Sequence, residues 1–175
     1  MRKLADSTRI ERFMRELGRA VDTEGHVYLT GGATAVLYGW RETTIDVDIK
    51  LIPDSDEILR EIPRLKEELD LNVELAAPSD FIPLPAGWED RSPLIRREGK
   101  LSFHHFDPIA QALSKVERGH AQDIRDVQEM VATGLVNPED VRAQFDLIES
   151  ELYRFPAIDP VSFRAAVDEM FPDPA

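Results

Sequence analysis

The stretch VYLTGGATAVLYGWRETTIDVDIKL, residues 27–51, decides the fold of this chain. Strand-forming residues at 27–29 run directly into the pair Gly31-Gly32, and residues 33–38 have helical composition. Residues 45–51 then alternate apolar and polar side chains, a period of two that is typical of a half-buried strand. The stretch therefore predicts a strand, a glycine turn, a short helix and a second strand.

Two carboxylates lie on the polar side of the second predicted strand. Asp46 and Asp48 are two residues apart, so a strand directs both side chains to the same face. Aspartate is a poor strand former, and two adjacent carboxylates repel unless a cation or a proton lies between them. The pair therefore indicates a purpose other than folding.

A phosphoryl-transfer site would explain both features. Mg²⁺ takes oxygen ligands and is often held by one or two carboxylates together with substrate phosphates, and Mn²⁺ is the alternative ion here. Gly31-Gly32 lets backbone N–H groups approach a triphosphate, and the N-terminus of the following helix adds partial positive charge. The alternative interpretation is that the glycines form a plain tight turn and that the aspartates lie on a solvated strand face. This interpretation explains either feature alone better than it explains the two together at this spacing.

These residues carry a family resemblance. Gly31-Gly32, thirteen residues and then Asp46-Val47-Asp48-Ile49 resembles the signature of the polymerase-β-like nucleotidyltransferase superfamily. Arg41 and Thr44, just before the aspartates, make the stretch most similar to the AbiEii and MenT branch, which includes toxins of toxin–antitoxin and phage-defence systems.

The resemblance implies a reaction and a set of partners. The reaction is transfer of a nucleoside monophosphate from an NTP to an acceptor, tRNA or protein, with a cognate antitoxin as a further partner. It implies nucleotide binding by five residues near the turn: Thr30, Gly31, Gly32, Arg41 and Thr44.

A third carboxylate is expected on a neighbouring strand. Residues 71–75 alternate Leu, Val and Leu with Asn72 and Glu74, which predicts a third strand. The superfamily commonly places its third carboxylate on such a strand, so the resemblance implies Glu74 as a metal ligand beside Asp46 and Asp48, or as general base. The alternative is a solvent-facing strand glutamate.

A lysine-then-aspartate segment follows further along the chain. Asp107-Pro108 and Gly119 bound one predicted helix, and a second runs over residues 122–133. Residues 114–130, SKVERGHAQDIRDVQEM, resemble a segment of the same branch. The resemblance implies that Lys115 neutralises nucleotide phosphate and that Asp126, or Asp123, orients it or binds near the metal. The alternative is helix-surface charge.

Composition narrows the remaining possibilities. The 175 residues carry a net charge of −13, which argues against broad non-specific binding to nucleic acid. One basic cluster at residues 91–105 is an exception, either a contact for phosphate or RNA or a solvated hairpin face. The absence of cysteine removes disulfides and thiolate zinc sites and leaves the redox compartment undetermined. The sequence also lacks an apolar run of membrane-spanning length and an N-terminal signal core, so the expectation is a cytoplasmic protein with no membrane partner.

The predicted fold class is α/β, or α+β in a stricter classification. A minimal nucleotidyltransferase mixed sheet is flanked by helices over residues 1–133, and an acidic helical C-terminal extension, 134–175, packs on it. In this extension, Asn137-Pro138 predicts a helix to about Tyr153 and Asp159-Pro160 predicts one to about Met170. The predicted protein is an NTP-dependent enzyme with Asp46, Asp48, Glu74, Lys115 and Asp126 as catalytic residues. Two other hypotheses are a non-catalytic nucleotidyltransferase-like binding or regulatory module and a general phosphate-binding protein.

Overall fold

The computed structural model describes residues 2–174, which form two compact units. The first comprises the chain up to Ala77 together with Ser92–Phe106, and the second comprises Pro78–Arg91 together with the chain from Asp107 onward. The predicted domain boundary after residue 133 falls inside the second unit. The division of the chain into domains at this residue stays a prediction.

The first unit contains a five-stranded mixed sheet and three helices. In chain order its elements are α1 (Ser7–Ala20), β1 (Gly25–Thr30), α2 (Gly32–Tyr38), β2 (Asp46–Ile52), α3 (Asp56–Glu68), β3 (Asn72–Leu75), β4 (Leu94–Glu98) and β5 (Leu101–His105). The strand order is β3-β2-β1-β5-β4. β1 lies antiparallel to β2 and parallel to β5, β3 lies parallel to β2, and β4 and β5 form an antiparallel hairpin. The predicted α+β class is confirmed.

The sheet buries one face against the three helices. Val47 and Ile49 of β2 belong to the same buried cluster as Phe103 of β5, together with Phe13 of α1 and Leu65 of α3. Because strand side chains alternate between faces, the other face carries the polar side chains of β2. The core thus fixes which side of the sheet is left for chemistry.

Two local predictions were wrong. The alternation predicts Ile45 on the apolar face of the second strand, but β2 begins at Asp46 and Ile45 is 70% exposed. The end of the helix predicted from Asn137 to about Tyr153 is also different, because the α-helix stops at Ile148 and a 3₁₀ segment, Glu149–Arg154, replaces its last part.

The second unit is helical. It comprises α4 (Pro108–Arg118), α5 (Ala121–Ala132), α6 (Pro138–Ile148) and α7 (Pro160–Met170), with the 3₁₀ turn Pro78–Asp80 preceding them in the chain. Three of these helices begin with an Asp or Asn cap followed by proline, as the dipeptides predict: Asp107, Asn137 and Asp159 each accept a hydrogen bond from a first-turn N–H. Within residues 2–174, each helix is too short or too polar to traverse a lipid bilayer.

Candidate active site

The glycine turn lies directly against the second aspartate of β2. β1 ends at Thr30, and Gly31 follows with φ of +64°, a left-handed conformation that favours glycine. A Cβ atom on Gly31 would lie 2.9 Å from Oδ2 of Asp48. The turn and the carboxylate therefore form one site.

Gly32 brings the loop before β2 to the same turn. A Cβ on Gly32 would lie 2.0 Å from Oγ1 of Thr44 and 3.3 Å from a terminal guanidinium nitrogen of Arg41. Thr44 is buried, and its hydroxyl donates to the carbonyl of Asp46 at 3.1 Å. The structure thus gathers Arg41 and Thr44 at the glycine turn, beside the first residue of β2.

The carboxylates form a short array across neighbouring strands. Asp46 and Asp48 lie half-buried on the face of β2 opposite Val47. Asp48 pairs with Thr30 of β1 on one side and with Glu74 of β3 on the other. The predicted placement of Glu74 beside the aspartates is thus what the register shows, although its chemical role stays a prediction.

Asn72 is a site residue that the sequence analysis did not identify. It is the register partner of Asp46, and its side-chain amide donates to Asp46 Oδ1 at 2.5 Å and to Glu74 Oε1 at 3.0 Å. A neutral donor between two carboxylates reduces their repulsion and orients both. The sequence feature that indicates Asn72 is its position two residues before Glu74, which places both side chains on the same strand face.

The donor set suits a hard cation held by two carboxylates. Among residues 2–174, the structure contains no group of three or more His, Cys, Asp or Glu side chains arranged to hold a metal ion. Asp46 and Asp48 nevertheless offer carboxylate oxygens on one strand face, the ligand type and number with which proteins commonly hold Mg²⁺ when a substrate phosphate supplies further oxygens. The residues present therefore fit Mg²⁺ through Asp46 and Asp48, and a metal-ligand role for Glu74 stays a prediction.

Lys115 and Asp126 meet in the second unit. The ammonium of Lys115 lies 2.7 Å from Asp126 Oδ2 and 3.4 Å from Asp123 Oδ1, and all three residues are buried. Burial would raise the pKa of Asp123, but Arg118 and Lys115 outweigh it and hold that pKa below its ordinary value. The alternative of helix-surface charge is wrong for these residues, while their roles toward nucleotide stay predictions.

The basic cluster at residues 91–105 is largely neutralised by neighbouring acids. Arg91 forms an ion pair with the buried Asp107 at 2.7 Å, and Lys100 forms one with Asp22 at 2.8 Å. Arg96 lies 3.6 Å from Glu98 and from Glu11. This pairing favours the solvated hairpin face over a phosphate contact.

The two adjacent histidines at the end of β5 face opposite sides of the sheet. His105 is buried, with Nδ1 3.0 Å from Thr34 Oγ1, and burial lowers the pKa of His105 to about 4. His104 lies on the other face, where its Nε2 is 2.9 Å from Nδ1 of His26. Burial and the neighbouring His26 lower the pKa of His104 as well. His105 is thus a neutral group that ties the first turn of α2 to β5.

The fold and the turn–carboxylate arrangement are those expected of a minimal nucleotidyltransferase. A family model described as "Nucleotidyltransferase of unknown function (DUF6036)" matches residues 6–156, and the chain belongs to that family. The comparisons with curated proteins and with solved structures found no match. The superfamily predicted from the sequence is therefore confirmed at the level of a nucleotidyltransferase family.

Proposed function

We propose that this protein transfers a nucleoside monophosphate from an NTP to a hydroxyl group of an acceptor, tRNA or protein, in a Mg²⁺-dependent reaction. The observation that carries the proposal is the contact between the glycine turn and the carboxylate strand, since Gly31 lies against Asp48. A phosphate seated on the turn is then beside the groups that would hold its metal ion. Phosphoryl transfer requires little else than such positioning and charge neutralisation.

The residues around the turn have distinct roles in this proposal. Backbone N–H groups of Gly31 and Gly32 bind phosphate oxygens, because a glycine carries no side chain of its own between its backbone and a ligand. The guanidinium of Arg41, which reaches the turn beside Gly32, neutralises phosphate charge. Thr30 and Thr44 offer hydroxyl groups at the two edges of the turn.

The chemical step exchanges one bond at the α-phosphorus. The acceptor oxygen forms a bond to that phosphorus, the bond to the bridging oxygen breaks, and pyrophosphate leaves with the electron pair. Mg²⁺ held by Asp46 and Asp48 would neutralise the charge that develops and lower the pKa of the attacking hydroxyl. Glu74, exposed beside Asp48, accepts the hydroxyl proton as general base.

A toxin role is a further part of the proposal. It is supported by the resemblance to the AbiEii and MenT branch and by the position of Arg41 and Thr44, the residues that carry it, at the glycine turn. Induced expression in a bacterial host should then arrest growth, and the Asp48→Asn variant should not. Growth arrest by both forms would contradict a toxin that acts through nucleotidyl transfer.

Calorimetric titration with each NTP tests the enzyme. The native chain should bind at least one NTP with an affinity that rises when Mg²⁺ is added, and Asp48→Asn should lose that Mg²⁺ dependence. Asp54→Asn is the matched control, since Asp54 is an exposed aspartate in the turn after β2. Equal nucleotide binding by Asp48→Asn and the native chain would remove the carboxylate site from the proposal.

The second candidate is a non-catalytic nucleotidyltransferase-like module. It is favoured by one observation: within residues 2–174, Asp46 and Asp48 are not joined by a third carboxylate in a metal-holding cluster, and an amide, Asn72, lies next to Asp46 instead. A module of this kind binds no NTP in a Mg²⁺-dependent way. The same titration therefore separates the two candidates.

A further inference from the structure

An apolar groove lies along the outer edge of the sheet in the first unit. β3 is the outermost strand, and a groove of about 580 Å³ is lined by β3 and α3. Its apolar lining includes Ile62 and Val73, which are buried, and Leu75, which is 58% exposed. A large exposed leucine at the end of an edge strand, continuous with a buried floor, is a surface suited to a partner.

The groove is continuous with the carboxylate array through one residue. Glu74 belongs to the groove lining and is also the register partner of Asp48. Its strand neighbours Val73 and Leu75 point to the opposite side of the sheet, because strand side chains alternate. The edge of β3 therefore presents an apolar surface on one side and the carboxylates on the other.

We propose that this edge receives the acceptor as an extended peptide that adds a strand to β3, an inference that rests on the proposed function. Addition of a strand to an exposed sheet edge is an established mode of peptide recognition, in which main-chain hydrogen bonds supply affinity and pockets for alternate side chains supply specificity. β3 is such an edge, and the groove beside it is such a pocket.

Alternation within the added strand determines which of its residues reacts. One residue of the peptide points to the carboxylate side, and the residues before and after it point into the groove. Adjacent strands lie about 4.8 Å apart, so the reacting residue lies about 10 Å from the backbone of Asp48. The side chains and the nucleotide phosphate fill that distance. The acceptor is therefore a Ser, Thr or Tyr residue with an apolar residue on each side.

The charges of the groove favour a peptide over RNA. Two basic residues, Arg2 and Lys66, are balanced by two acidic ones, Glu67 and Glu74. The guanidinium of Arg2 is already bound to Glu67 and to the carbonyl of Leu71. Binding of a nucleic-acid backbone requires several basic side chains whose charge is not already neutralised. This groove, in a chain of net charge −13, does not offer them.

The reaction at the peptide follows the proposed step. The side-chain oxygen forms a bond to the α-phosphorus of the NTP, pyrophosphate leaves with the electron pair of the broken bond, and the hydroxyl proton passes to Glu74. The product is a peptide carrying a nucleoside monophosphate in a phosphodiester linkage. No oxidant or further reactant is required.

The test uses fluorescein-labelled peptides of about nine residues, long enough to pair along a strand of ordinary length. The centre of one peptide is Val-Ser-Val, and others carry Thr or Tyr at the central position. Val-Ala-Val is the control that docks without a hydroxyl group. Binding is measured by fluorescence polarisation, and transfer by incubation with each α-labelled NTP and Mg²⁺, with total tRNA as a competing acceptor.

The variant is Leu75→Lys, which places a charge over the groove at an exposed position. Its matched control is Leu147→Lys, because Leu147 is 68% exposed and belongs to the second unit. We expect Leu75→Lys to weaken peptide binding and transfer by about tenfold or more, since the docked peptide would lose an apolar contact and would cover a charge instead. Leu147→Lys should match the native chain.

The outcomes distinguish this inference from the proposed function. Label on the hydroxyl peptides, absent from Val-Ala-Val and reduced by Leu75→Lys, supports the inference. Label on tRNA with the peptides unlabelled overturns it, as does peptide binding that Leu75→Lys leaves unchanged. If the peptides bind in a Leu75-dependent way but no NTP does, the groove stands as a docking site while the proposed transferase activity fails.

Discussion

Two consecutive glycines at the end of β1 are required for different physical reasons. Gly31 adopts a positive φ and lies against Asp48, so a side chain there would be strained and would crowd the carboxylate. Gly32 has no positive φ, but a Cβ there would overlap Thr44. The first glycine shapes the turn, and the second allows the loop before β2 to approach it.

Gly32→Ala tests this close approach. The added Cβ would lie 2.0 Å from Thr44 Oγ1, so the threonine must shift, and its hydrogen bond to the Asp46 carbonyl is lost. Overpacking of this kind costs about 1–3 kcal/mol of folding free energy. Gly25→Ala is the control, because its Cβ would meet atoms only at 3.6 Å or beyond. In thermal unfolding, Gly32→Ala should melt at a lower temperature than Gly25→Ala. Equal melting temperatures would mean that Thr44 can shift away from the added Cβ without a loss of stability.

His105 should make folding stability depend on pH. Burial lowers its pKa to about 4 in the folded protein, whereas the ordinary value is 6.5. Between these values the unfolded chain binds a proton that the folded chain does not. The contribution of His105 to the free energy of unfolding is therefore fully present above pH 6.5 and is lost as the pH falls towards 4. From about pH 7 to pH 5 the loss should be about 1–2 kcal/mol.

The measurement is urea unfolding across that pH range, for the native chain and for His105→Asn. Asparagine can keep a donor near Thr34 but does not titrate, so the variant should show a shallower pH dependence. Some dependence should remain, because the pKa of His104 is lowered in the same direction by burial and by His26. Native and variant curves with the same slope would show that His105 does not carry the effect.

At the scale of elements, a buried ion pair joins two helices of the second unit. Lys115 of α4 and Asp126 of α5 face each other at 2.7 Å, and the Asp126 side chain is fully buried. Gln122 donates to the other oxygen of Asp126 at 3.1 Å. Each charge is therefore compensated only while both helices are in place.

Lys115→Met should destabilise the protein strongly. It leaves Asp126 buried without its cation, and breaking a buried pair in this way costs about 3–5 kcal/mol. The double variant Lys115→Met with Asp126→Leu removes both charges and should recover much of that loss. Chemical unfolding gives the comparison. A loss below about 1 kcal/mol in the single variant would mean that Asp126 is not dependent on the lysine.

The same double variant also tests the predicted nucleotide role of Lys115. If the lysine binds phosphate, a folded double variant should lose about ten- to a hundredfold in NTP affinity, the value of a charge-assisted contact. If the pair only joins α4 to α5, NTP affinity should be unchanged. Structure and function are thereby separated in a protein that still folds.

The elements were predictable from local patterns, while the partners of the site residues were not. Period-two alternation placed Asp46 and Asp48 on one face, and Asp-Pro and Asn-Pro pairs marked three helix starts. The pairing of Asp48 with Glu74, and the bridging role of Asn72, depend on the order and register of β2 and β3. Register is set by pairing between segments distant in sequence, so no local pattern specifies it.

At the scale of the whole molecule, the charge is strongly negative and its one basic cluster is paired. The net charge is −13, and Arg96 and Lys100 lie against Glu11, Glu98 and Asp22. Non-specific affinity for nucleic acid comes from lysine and arginine side chains that neutralise phosphates and release counterions. The protein should therefore bind unstructured RNA weakly, whatever its acceptor is.

A pair of triple variants tests this. One carries Glu11→Gln, Glu98→Gln and Asp22→Asn. The control carries Asp54→Asn, Asp140→Asn and Glu169→Gln, which are exposed acids elsewhere. Both lower the net negative charge equally, but only the first releases Arg96 and Lys100 from their acids. Binding to a labelled single-stranded RNA is measured by polarisation at several salt concentrations.

The first triple variant should bind RNA more tightly than the control at low salt. With Arg96, Arg97 and Lys100 available, up to three phosphates are neutralised, so the logarithm of affinity should fall with the logarithm of salt with a slope of about −2. The control should resemble the native chain, because its change in charge is dispersed over the surface. Equal affinity of the two triple variants would show that net charge, and not the pairing of this cluster, sets the weak binding of RNA.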